Sequence, residues 1–194
     1  TRGRYPKGVA RRQEILDKAI EVFARRGSRS TSLRAIAQEV GVTHAAITHY
    51  FGSLEELLVE VYRESEGRTG AGRPAPQGAS PAMMMSLSAE ANREIPGLVQ
   101  LYSTLVAMAL EENHPLAHGF VTERFALLRA EIADQVRGLQ ESGLVRADLD
   151  PALVAALIIA ASDGLQIQWL LDDEVRHEAA LEMLDRLLRG VPPA

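Results

Sequence analysis

Between Leu33 and Phe51 the chain reads LRAIAQEVGVTHAAITHYF. Leu33, Ile36, Ala37 and Val40 recur at three- and four-residue spacing and mark the buried side of a short helix that Gly41 ends. Val42 and Thr43 lead into a second short helix, His44 to about Tyr50. Small Ala37 lets the two helices cross closely, while Ile36, Val42, Ile47 and Phe51 tie them to a neighbour. This is the pattern of a helix-turn-helix, whose second helix projects as a rod into a DNA major groove about 12 Å wide. With Ile47 and Phe51 turned to the core, His44, Ala45, Thr48 and His49 lie on or near the free face. Short side chains there let the backbone approach base edges, and Ala or Thr methyls match the methyl of thymine. Thr43, as N-cap, sets a hydroxyl and free N–H groups where a phosphate fits.

Upstream, Ile15, Leu16, Ala19, Ile20 and Phe23 form one apolar stripe over Val9 to Arg26, so an amphipathic first helix is expected, stopped by Gly27. Thr31 and Ser32 are N-cap residues for the helix that follows. Downstream, Ser53-Leu54-Glu55-Glu56 is a capping box opening a fourth helix to about Ser65. Residues 67–80, rich in Gly, Pro and Ala, read as a loop or linker. Ser80-Pro81 starts a fifth helix that Pro96-Gly97 closes. A sixth runs from about Leu98 to Asn113, a seventh from about Leu116 to Ser142, an eighth from Pro151 to about Leu171, and a ninth from about Glu174 to Leu188. No strand pattern competes. The expected fold is all-α: a three-helix DNA-binding domain at residues 1–52, then a larger helical regulatory and dimerisation domain at 53–194.

Charge supports that division. The 194 residues carry a net charge of −5. Residues 1–52 hold 10 Lys/Arg against 4 Asp/Glu, a net of +6, and residues 53–194 hold 11 against 22, a net of −11. A basic module on an acidic body is what contact with a polyanion calls for. Cysteine is absent, so no disulfide, thiolate site or cysteine nucleophile is available. That fits a cytoplasmic protein. The apolar run from Ala152 to Ser162 is well short of the about 20 residues that span a bilayer, and reads as a core helix with no membrane role.

The segments ILDKAIEVFARRG and TSLRAIAQEVGVTHAAITHYFGSLEELL, within about residues 10–60, closely resemble the TetR family of repressors. The stretch EENHPLAH…ESGLVRADLDP…ASDGLQIQWLLDD resembles regulatory domains of that family. The resemblance implies a third helix that enters the major groove and a second domain that dimerises and holds a small-molecule effector. The candidate DNA contacts are Thr43, His44, Ala45, Thr48, His49 and Tyr50, with Thr31, Ser32 and Arg4. Two positions depart from the family pattern: Leu54 stands where Lys is common, and Thr48 where Tyr is frequent. Arg2, Arg4, Lys7, Arg11 and Arg12 are available to replace the phosphate contacts so lost.

Met84, Tyr102, Phe120, Arg124, Asp163 and Trp169 are the candidate effector-pocket residues. Asp163 interrupts an apolar helix and needs a partner, a polar effector or an outward face, since an unpaired buried carboxylate is costly. Helices near 150–171 and 174–188 have the apolar density for a homodimer interface. An enzymatic alternative rests on two Glu-x-x-His sequences, Glu111 to His114 and Glu174 to His177, because such pairs hold di-iron centres in helical bundles. Against it, His114 directly precedes Pro115, and that break also separates His114 from His118. No cofactor or metal is expected, and a regulator is favoured over an enzyme.

Overall fold

The computed structural model describes residues 4–70 and 78–189. Among those residues the regular secondary structure is all helix. The elements are α1 (Arg4–Ser30), α2 (Leu33–Val40), α3 (His44–Tyr50), α4 (Leu54–Gly70), α5 (Pro81–Arg93), α6 (Leu98–Ala109), α7 (Pro115–Glu141), α8 (Pro151–Leu171) and α9 (His177–Arg189). The all-α expectation holds.

Several boundaries follow from local chemistry. Gly27, at φ 68° and ψ 179°, breaks the helical path of α1, and one further turn carries it to Ser30. Gly41 adopts φ 71° and donates its N–H to the Gln38 carbonyl at 3.3 Å, while Val42 donates to Ala37 at 2.9 Å. These are the paired bonds of a Schellman ending, which requires the left-handed backbone that glycine adopts most readily. α6 stops at Ala109, short of the expected Asn113. Leu110 donates to Ala107 and Glu111 to Met108, so the chain tightens into turns ahead of Pro115. α9 begins at His177 and not near Glu174, because Asp172 draws the preceding residues into a turn: its carboxylate accepts the Glu174 N–H at 3.1 Å. α4 continues to Gly70, so residues 67–70 of the expected loop are helical; residues 71–77 of it lie outside the described residues.

Two units emerge from the contacts. The first takes residues 1–71 and 93–121, and the second 72–92 and 122–194. The reason is packing: α4 and α6 both lie against α1. Gly97, at the start of α6, comes so close to Ala24 that an added Cβ would sit 2.7 Å from the Ala24 Cβ. Ile15, Leu16, Ala19, Val22 and Phe23 of α1, Ile36, Ala37 and Val40 of α2, and Ile47 and Phe51 are all buried. Ile20, expected in that stripe, is only partly buried, and Val22 takes the place in the core.

The second unit has a core of its own, built from Ala82, Ile132, Ala133, Val136, Val145, Val154, Ala155, Ile158, Ile159 and Leu188. Met85 packs against it, whereas Met83 is exposed. α8 is capped by Asp150, whose carboxylate accepts the Ala152 N–H at 2.8 Å, with Pro151 at the first helical position. By length and composition α8 is apolar enough to cross a membrane, more so than the run from Ala152 to Ser162 suggested. Only one side is in the core: Leu153, Leu157, Ile167 and Leu171 are exposed, as are Met183 and Leu187 of α9.

Candidate nucleic-acid interface

The first unit presents α3 on a rigid mount. Ser32 Oγ accepts the Ala35 N–H at 3.1 Å and Thr43 Oγ1 accepts the Ala46 N–H at 3.1 Å, so both short helices begin on a side-chain cap. Ile47 is fully buried and Phe51 nearly so, which fixes the rotation of α3 about its axis. On the other side, Thr43, His44, Ala45 and His49 are exposed, and Thr48 and Tyr50 are half-buried. The His49 and Tyr50 rings meet edge-on at 5.7 Å. Thr48 Oγ1 lies 3.0 Å from the His44 carbonyl and 3.1 Å from that of Ala45, so its proton is engaged within the helix.

The turn after α3 is equally constrained. Ser53 Oγ accepts the Glu56 N–H at 3.0 Å, and Glu56 Oε2 accepts the Gly52 N–H at 2.8 Å. The return bond of this capping box thus reaches one residue further back than the usual pattern. Leu54, half-buried, opens α4.

Thr31 is placed differently from its expectation as a DNA contact. It is buried, and its hydroxyl donates to the Gly27 carbonyl at 2.6 Å, closing the bend at the end of α1. Arg12 is not a free phosphate-seeking cation either. It pairs with Glu60 of α4 and lies 5.2 Å from the Phe51 ring centroid. Arg11 pairs with Glu14. The side chains of Arg4 and Lys7, and all of Arg2, lie outside the described residues. Arg25 and Arg26 both pair with Glu39, and the Arg25 guanidinium foremost holds the Glu39 carboxyl below the usual carboxylate range. These pairs fasten α1 to α2.

Arg34 carries no signal in the sequence that sets it apart from the other basic residues. It sits in the first turn of α2, is exposed, and has no intrachain ion pair among the described residues. Nine of the ten basic residues before position 53 precede it in the chain, and composition does not distinguish it from them. Only the structure separates the cations that are internally paired from one that is not.

The expected pocket residues fall in both units. In the first, Tyr102 stacks on Tyr62 at 5.1 Å, and Phe120 meets the same Tyr62 ring edge-on at 5.7 Å with Arg63 over its outer face. Met84, Arg124, Asp163 and Trp169, all half-buried, belong to the second. The two Glu-x-x-His sequences are also in different units. His114 lies 3.5 Å from Glu111 and 4.0 Å from Glu55, through different ring nitrogens. His177 is fully buried at the start of α9, and Glu174 is exposed on the turn before it. Among the described residues no three His, Asp or Glu side chains converge as a metal site.

Residues 15–61 match the family described as bacterial regulatory proteins, tetR family, and residues 89–192 match the BetI-type transcriptional repressor carboxy-terminal family. The chain belongs to the TetR family. It is a DNA-binding transcriptional regulator and not an enzyme. The HTH-type transcriptional repressor Rv1474c of Mycobacterium tuberculosis is 27% identical over 184 residues, which cover 93% of this chain and 94% of the relative. A TetR-family regulator from Rhodococcus sp. superposes with a TM-score of 0.74 at 24% identity, covering 93% of this chain and 99% of the other. The multidrug binding protein EbrR, solved with imidazole, superposes with a TM-score of 0.65 at 27% identity, covering 95% and 97%.

Proposed function

We propose that this TetR-family protein is a cytoplasmic repressor that binds an inverted-repeat operator as a homodimer and leaves it when a small molecule fills its regulatory domain. Residues 1–52 serve as the DNA-binding domain and 53–194 as the sensing and dimerising one. The observation that carries the reading is the exposed face of α3, held in register by Ile47 and Phe51 and opened by the Thr43 cap. Thr43, His44, Ala45, Thr48, His49 and Tyr50 reach the operator, with Ser32, Arg34 and Arg4 on the flanking phosphates. Two-fold symmetry sets two copies of α3 about 34–36 Å apart, on half-sites one helical turn apart.

Dimerisation falls to α8 and α9. Leu157, 60% exposed, and Leu187, 59% exposed, leave an apolar face of the kind that a second copy covers. The effector is a small molecule, and the candidate contacts within the second unit are Met84, Arg124, Asp163 and Trp169. That EbrR binds drugs and was solved with imidazole supports a small organic ligand here. Release is a matter of linkage: an effector that prefers the arrangement with mis-spaced α3 helices lowers DNA affinity by its differential binding energy, typically about 1–3 kcal/mol.

The deciding experiment is a footprint of the full chain on genomic fragments at two salt concentrations, with Thr48→Arg beside it. Protection of one inverted repeat, weakened by salt and changed in pattern by the variant, is the expected result. Absence of protection even at low salt would sink the reading.

A further inference from the structure

A cleft of about 570 Å³ opens between the start of α4 and the end of α6, wholly within the first unit. Leu54 and Leu58 of α4 and Ala107 and Met108 of α6 supply apolar lining, and Glu111 and His114 join it from the turn before α7. No Lys or Arg contributes to the lining. His114 lies between two carboxylates, with Glu111 at 3.5 Å from one ring nitrogen and Glu55 at 4.0 Å from the other. The second oxygen of Glu55 accepts the Ala117 N–H at 2.7 Å, which anchors this acidic edge to α7.

The chemistry of such a cleft selects by charge. An anionic guest would meet the Glu111 carboxylate with no Lys or Arg among the lining residues to receive it. A guest with a short apolar body and a positive head satisfies both parts, placing the body against Leu58 and Met108 and the head at Glu111. We propose that the α4–α6 cleft is a second small-molecule site, separate from the effector pocket proposed above, and that it takes an amphipathic organic monocation. Only two residues separate the start of α4 from Phe51, the C-cap of α3. A guest that wedges α4 away from α6 therefore moves the mount of α3 and lowers operator affinity, and the operator weakens its binding in turn. Binding in the cleft stands by itself; its effect on DNA rests on the proposed role of α3.

The test titrates 4-phenylbutylammonium, 4-phenylbutanol and 4-phenylbutyrate into the full chain, labelled with ¹³C at the Met and Leu methyls. The ammonium should shift the Met108 and Leu58 methyls with a dissociation constant on the order of millimolar. Glu111 is 70% exposed, so solvent screens it. The alcohol should bind about two- to fivefold more weakly, and the carboxylate more weakly still. Glu111→Gln, at an exposed side chain, should erase the advantage of the ammonium over the alcohol. Ala107→Trp, also at an exposed position, should fill the cleft and abolish the shifts. Asp163→Asn in the second unit should leave them unchanged. Three equal affinities, no shift at these methyls, or shifts lost in Asp163→Asn would overturn the proposal. An operator that fails to bind without any ligand would instead count against the role of α3.

Discussion

Arg34 and Gly97 show what single residues decide in this chain. Arg34 is exposed and has no ion pair among the described residues, which leaves it available to meet a phosphate. Arg34→Ala should weaken operator binding uniformly across sequences and reduce the slope of log affinity against log salt by about one, read from binding isotherms at several salt concentrations. Arg12→Ala, by contrast, removes an internal pair with Glu60 and should cost stability before it costs DNA contact. Gly97 holds a φ of 81° and faces Ala24 so closely that an added Cβ would lie 2.8 Å from the Ala24 Cα. Strain and overpacking act together there, and Gly97→Ala should lose about 1–3 kcal/mol in urea unfolding. An unchanged midpoint would show that α1 and α6 part without cost.

At the scale of elements, the short helices depend on their ends. α2 spans 8 residues and α3 spans 7. Neither length is sustained by propensity alone, so capping and burial of Ile36 and Ile47 hold them. Ser32→Ala should lower stability by about 1 kcal/mol in chemical unfolding, with an unaltered helix count by circular dichroism. The α1–α2 junction carries a pH signature. Pairing with Arg25 and Arg26 keeps the Glu39 carboxyl below its ordinary range in the folded chain. Its contribution is therefore present above the ordinary carboxylate pKa and is lost as pH falls through the lowered one. Glu39→Gln should make the acid limb of the stability profile shallower, and an identical limb in both proteins would count against the pairing.

For the whole molecule, the proposed assembly rests on the outer faces of α8 and α9. Leu153, Leu157, Ile167, Met183 and Leu187 are large apolar side chains left exposed on these two helices. The double change Leu157→Glu with Leu187→Glu places charges on that face and should convert a dimer to a folded monomer in sedimentation. Operator affinity should fall sharply with it, since one recognition helix per particle reads one half-site. A dimer that survives both charges would move the interface elsewhere.

By itself the sequence determined the helical class, the start and end of α2, α3 and α8, and the side of α3 that faces away from the core. Those features are local. A Schellman glycine, a Ser, Thr or Asp cap and a three- and four-residue apolar period act within a few residues of where they are written. Tertiary structure decided what depends on partners distant in the chain. Thr31 went inside because the bend at Gly27 brings a carbonyl to its hydroxyl. Arg12 pairs with Glu60, 48 residues away, so part of the charge that composition counts is matched within the chain. α6 packs closely on α1 where Gly97 lacks a side chain as Ala24 passes, and that close approach is what composition and period do not encode.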